Sequence, residues 1–198
     1  EAEFRAQVSD TEMKALRSQM NPHFIFNSLN SISDYIAKHD TASADSFLTK
    51  FAKLMRAILE NSEQKEVRLA DDLKSLELYM QLESLRMNNK FNYEIHVDEQ
   101  LDQETTLIPP LLLQPFVENS IWHGIAQKNG EGKISIRIQK EGEMISYAVE
   151  DTGVGRKHSA ATSLAQSATG KQSLGMKITK ARIDILNKVK NSNATMEV

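Results

Sequence analysis

The sequence predicts an α+β protein: a helical region followed by an α/β layer. Three observations carry this. Up to about residue 87, apolar side chains recur at steps of three and four, the period of a helix buried on one face. Beyond that point FNYEIHVD, KISIRIQ and MISYAVE alternate apolar and polar residues, the period of a strand. The chain has 198 residues and is 40% hydrophobic, enough to bury a core in one ordinary domain or two small ones. The change of period near Asn88 divides the chain into a helical region, 1–88, and a region 89–198 expected to form a two-layer sandwich with a mixed, mostly antiparallel sheet.

The elements follow in order. Residues 1–20 contain neither Gly nor Pro, and Met13, Leu16, Met20 and Phe24 form an apolar stripe. Asn21-Pro22 reads as an N-cap followed by proline at the first helical position, or as a kink in one long helix. A helix is expected from there to about Ala37. A second covers 41–61, with Phe47, Phe51, Leu54, Met55, Ile58 and Leu59 on one side. A third covers 70–87, with Leu73, Leu76, Met80 and Met87 in a stripe and Asp71 and Asp72 at the end where the helix dipole favours them. Strands are expected at 91–98, 133–139 and 144–150, the last two joined by the turn Glu141-Gly142-Glu143. Pro109-Pro110 precedes a helix over 111–126. Residues 153–173 are polar and rich in small side chains, a lid candidate. A helix over 174–189 and the start of a strand at 195–198 close the chain.

Composition excludes several classes. Lys plus Arg is 24 and Asp plus Glu is 27, a net charge of -3, so no positive excess points to nucleic acid or an anionic membrane surface. The absence of cysteine removes disulfide frameworks and Cys-based zinc sites. His39, His96 and His158 are scattered, without ligand spacing. No apolar run reaches about 18 residues, and no signal peptide is present. A chain that starts at Glu1 and stops in an incipient strand is expected to be a fragment of a longer protein.

Three stretches carry chemistry. In QPFVENSIWHG a helix sets Glu118 beside Asn119, a carboxylate next to an amide whose carbonyl can ligate Mg²⁺ without adding charge. In EDTGVG an Asp at a strand end precedes G-x-G, a backbone that a flat ligand can approach closely. In GKQSLGM a polar loop opens a helix whose first N–H groups favour phosphate. Singly, each fits a solvated face, a plain turn or an ordinary loop-to-helix junction. The histidine of MNPHFIFNSLNSI is equally open, as core residue, metal ligand, base or phosphate acceptor.

Taken in order, these stretches resemble the ATP-binding domain shared by histidine kinases, gyrase-type topoisomerases and heat-shock ATPase chaperones, a Bergerat-type sandwich. LRSQMNPHFIFNSLNSI, IPPLLLQPFVENSIWHGI, VEDTGVG and SLGMKITKARIDILN together resemble the LytS/YehU-type sensor histidine kinase family over residues 16–188. The resemblance implies a two-component sensor kinase. His23 would accept the γ-phosphoryl group of ATP and pass it to an aspartate of a response regulator. Asn119 would bind Mg²⁺, with Glu118 as its acidic neighbour. Asp151 would hold the adenine amino group, Gly153 and Gly155 would let base and phosphates approach, and His123, Gly124, Gly175 and Arg182 match the family pattern. The helical region would dimerise through Phe24, Phe26, Leu29 and Ile32, and residues 1–20 would couple it to an upstream sensor, in a membrane, making this a cytoplasmic region.

The sequence also departs from that pattern. Phe24 follows His23 where an acidic residue is common, so Asn27, one turn on, or Glu118 is expected to orient or deprotonate the ring. Trp122 stands where a Lys is common, with Lys128 or Lys171 as substitutes. Ser173 replaces a Gly and Ile178 an Asn. A dimeric signalling module with weak or no catalysis is the alternative these departures leave.

Overall fold

The computed structural model describes residues 22–155 and residue 195. The expected leading helix, the lid beyond residue 155, the helix over 174–189 and the closing strand lie outside the described residues, as do Lys171, Ser173, Gly175, Ile178 and Arg182.

Helix α1 (Pro22–Ala37) begins at its proline, where the missing N–H has no intrahelical partner to lose. A short link over 38–40 takes His39 to φ 58° and reverses the chain. Asp40 then caps α2 (Thr41–Ser62), its Oδ1 accepting from Ser43 N at 3.1 Å. After the short strand β1 (Val67–Arg68) comes α3 (Leu69–Arg86). The expected stripe of α3 is buried at Leu73, Leu76 and Met80, but so are Tyr79, Leu82 and Glu83. The helix touches α1 and α2 as well as β1 and β2 (Phe91–Val97), which is why its burial exceeds one face. Asn88 and Asn89, at φ 55° and 56°, turn the chain from α3 into β2, a conformation asparagine tolerates.

The three-stranded sheet has the order β2-β4-β5, with β4 (Gly132–Glu141) central and β5 (Met144–Asp151) paired antiparallel to it through the Gly142 turn. β2 and β4 are parallel, Phe91 opposite Gly132 and Val97 opposite Ile138. A parallel pair needs a crossover, which the long segment between the two strands supplies. Ile134, Ile136 and Ile138 project from one face of β4 and are fully buried. A second, two-stranded ladder pairs β1 with β3 (Leu107–Ile108), strands too short for apolar alternation to reveal.

The helix expected from Leu111 starts later, as α4 (Gln114–Asn119). Leu111 is held at φ 57°, its N–H donating to Asp72 Oδ1 at 2.7 Å. Asp72 lies in the first turn of α3, where the helix dipole was expected to favour it; it is also 2% exposed and anchors this loop. Asp72→Ala leaves a buried N–H unsatisfied and is expected to cost about 1–3 kcal/mol, read from the urea midpoint at constant slope.

A single core runs from Phe24 through α2 and α3 to the isoleucines of β4. Phe24 is 5% exposed and lies 5.0 Å from Tyr79 and 6.1 Å from Phe51, ring to ring. Ile32 also packs against this core. Of the four residues expected to face a second chain, Phe24 and Ile32 are thus committed within their own chain. Phe26 and Leu29 stay exposed, with Ile36, Leu48 and Leu59.

Candidate active site

The helix carrying Glu118 changes winding as it passes the site. α4 runs directly into a π-helical turn, Ser120–Ile125, closed by Ala126 N donating to Ile121 O at 2.8 Å. One continuous α-helix was expected here. Such wide turns occur mostly as single insertions and often at functional positions. Asn119, partly buried, is the last α-helical residue; His123 is exposed and Gly124 buried on the π turn. Glu118 accepts a hydrogen bond from Gln114 Nε2 at 3.0 Å. Burial pushes its carboxyl up to about 7; the Gln114 contact opposes this and Glu83 adds to it.

The Asp151 loop closes onto this turn. Gly153 N donates to Asp151 Oδ1 at 2.8 Å, and Val154 N reaches Gly124 O at 3.3 Å. A Cβ on Gly124 would lie 2.7 Å from Asp151 Oδ1, and one on Gly153 only 2.4 Å from the Gly124 backbone. These glycines therefore let two backbones meet. Gly153→Ala is expected to push the loop off the helix and to lower the melting temperature, as measured by calorimetry. Gly155, at φ +73°, has open space where a Cβ would stand, and keeps a turn that other residues rarely adopt. Thr152 Oγ1 accepts from Lys133 N at 2.9 Å and lies 3.4 Å from Lys128 Nζ. Lys128 thus sits beside the Asp151 loop.

His23 reaches the same helix from α1. Its exposed ring lies 4.8 Å from the Trp122 ring, tilted by 55°. Asn27 Nδ2 is 3.2 Å from both His23 ring nitrogens. Those nitrogens flank one ring carbon, so a group in the ring plane equally near both would collide with it; the amide lies over the ring face. Arg86 places its guanidinium 4.4 Å from the Trp122 centroid. It is held by Glu83, with Nε at 3.1 Å and Nη2 at 2.8 Å from the two carboxylate oxygens, a forked pair. Glu83 is fully buried.

The structure therefore gathers Glu118, Asn119, His123, Gly124, Asp151, Gly153 and Gly155 at one helix and loop. His23 and Asn27 meet that helix at Trp122. Sequence reading missed Arg86 and Glu83, whose one signal was opposite charge at spacing three on a helix. Among the described residues no cluster of three His, Asp or Glu side chains is placed to hold a metal. A single amide oxygen from Asn119 still suits magnesium, which keeps water and substrate phosphates as its other ligands.

A helical layer carrying an exposed histidine thus packs on an α/β layer with a Glu-Asn helix and an Asp-x-Gly loop, and comparison with known proteins gives the class to which this arrangement belongs: histidine kinases. Residues 11–91 match the family described as histidine kinase. The chain is 31% identical over 156 residues to the sensor protein LytS of Bacillus cereus and 32% identical over 156 residues to that of Staphylococcus epidermidis, in each case over 78% of this chain and 26% of the relative. It is 30% identical over 179 residues to the sensor histidine kinase BtsS of Escherichia coli, over 90% of this chain and 30% of the relative. It belongs to the LytS-type histidine kinase family. The chain spans between a quarter and a third of the length of these relatives. The histidine kinase domain of the Erythrobacter litoralis EL346 blue-light activated kinase aligns over 93% of this chain and 85% of that one, at TM-score 0.46 and 14% identity, too low a likeness to carry an argument. Among the described residues no helix is long and apolar enough to cross a membrane.

Proposed function

We propose that this chain is the kinase region of a two-component sensor, which transfers the γ-phosphoryl group of ATP to His23. The observation that carries the reading is the meeting of His23 with the Glu118–Asn119 helix through Trp122. Phosphoryl transfer asks mainly for alignment and charge neutralisation. Asp151 would accept from the adenine amino group, while Gly153 and Gly155 admit the nucleotide. Asn119 would offer its carbonyl oxygen to Mg²⁺, whose role when bound is to neutralise phosphate charge. A lone pair on one His23 ring nitrogen forms the new N–P bond, the bond from phosphorus to the bridging oxygen breaks, and ADP leaves with that electron pair. Glu118, poised near neutrality, takes the imidazole proton.

The phosphoryl group then passes to an aspartate of a response regulator. Phe26, Leu29 and Ile36 on α1, with Leu48 and Leu59 on α2, form the surface by which two chains pair. Residues 1–88 carry dimerisation and the acceptor, 89–198 the nucleotide site, and an upstream sensor in a membrane would leave this region cytoplasmic. Trp122, standing where a cation is common, favours a second reading as a dimeric signalling module with weak catalysis.

Incubation with γ-labelled ATP and Mg²⁺ separates the two. An acid-labile, base-stable protein label supports the kinase. ATP binding with no label at any Mg²⁺ concentration sinks it and leaves the signalling module.

A further inference from the structure

Trp122, on the helix bearing Glu118 and Asn119, is in ring contact with His23, and its own position is set from a third element. Arg86 stands in the last turn of α3, and its guanidinium lies 4.4 Å from the indole centroid. Arg86 is not free to wander, because fully buried Glu83 grips it through two hydrogen bonds. A cation held over an indole attracts the ring's negative face, and more strongly where water is partly excluded, as it is for the Arg86 side chain at 19% exposure. The chain of contacts is therefore fixed at one end and functional at the other: Glu83 holds Arg86, Arg86 braces Trp122, and Trp122 meets His23 at 4.8 Å.

We propose that Trp122, braced by Arg86, is a positioning residue that docks the His23 imidazole on the helix bearing Glu118 and Asn119 of the same chain. The inference rests on the kinase reading for its purpose but not for its test. Docking fixes the acceptor ring before nucleotide arrives, which is where an ångström of misplacement costs rate.

Trp122 is the sole tryptophan of the 198 residues, so its fluorescence reports the contact directly. A ring stacked on an indole shields it from water and from soluble quenchers. The 198-residue chain is compared with His23→Ala by emission maximum and by acrylamide quenching at a single pH. Arg86 and Glu83 are the same in both proteins, so the difference between the two curves belongs to His23. The expected result is stronger quenching and emission at longer wavelength in His23→Ala and, to a smaller extent, in Arg86→Ala. Superimposable curves for the wild type and His23→Ala overturn the docking, whatever the kinase activity.

The kinetic arm tests its use. Trp122→Ala is expected to slow labelling by on the order of 10–10²-fold with KM for ATP unchanged, and Trp122→Phe to restore most of the rate. A merely structural tryptophan would lower nucleotide affinity and rate together, and that result, or wild-type rates in Trp122→Ala, overturns the positioning role. If the wild type itself takes no label, the kinase reading fails and the fluorescence comparison alone decides the docking.

Discussion

His23→Ala is expected to abolish the acid-labile label that the proposed kinase would take, while ATP binds as before. The His23 ring is exposed at the start of α1, against Asn27 on its own helix and against Trp122. On the proposed reading, removing the imidazole takes away the nucleophile while Asp151, Gly153 and Asn119 keep their side chains. Helix α1 tolerates alanine well at an exposed position. The measurement is labelling and calorimetric ATP affinity on the same preparation. A label that survives in His23→Ala would move the chemistry to another side chain, and exposed His123 on the π turn would be the next to replace.

Glu118→Gln slows labelling by roughly 10²–10⁴-fold, the range expected when a general base is lost, and flattens the rise of rate with pH through about 7. The same substitution reports on stability. Burial raises the carboxyl from its ordinary value of 4.5 to about 7, so between those values the folded chain holds a proton that the unfolded chain has released. Stability from this group is fully present below 4.5 and is lost as pH rises through about 7, by up to about 3 kcal/mol. Glu118→Gln cannot ionise, so its melting temperature should fall less than that of the wild type between those limits. Parallel melting curves for the two proteins would refute the buried-base assignment even if the rate fell.

Much of this arrangement is legible in the chain because its signals are local. Pro22 marks the start of α1, Asn88 and Asn89 the passage from helix to strand, and the isoleucines of β4 one buried face. Asp151 and Gly153 stand out because a carboxylate before G-x-G is a short-range pattern. What stayed hidden depends on partners far along the chain. Asp72 looks like a helix-dipole carboxylate until Leu111 is brought to it across the fold. The π turn at Ser120–Ile125 leaves the apolar spacing intact, so periodicity cannot tell it from an α-helix. Phe24 and Phe26 are alike as letters, and only the position of Tyr79 decides that the first turns inward.

The burial of Phe24 sets a threshold for regulation. Swinging α1 away from α2 and α3 would return that ring to water, at a cost of roughly 1.5–3 kcal/mol for one such side chain. That residue alone biases the population toward the packed arrangement by roughly tenfold to a hundredfold. An upstream stimulus shifts the equilibrium only if its own differential energy for the two arrangements is of that size. On the proposed reading, sensitivity is encoded beside His23 rather than in it: a smaller apolar side chain at position 24 would lower the energy needed to move α1 without touching the histidine.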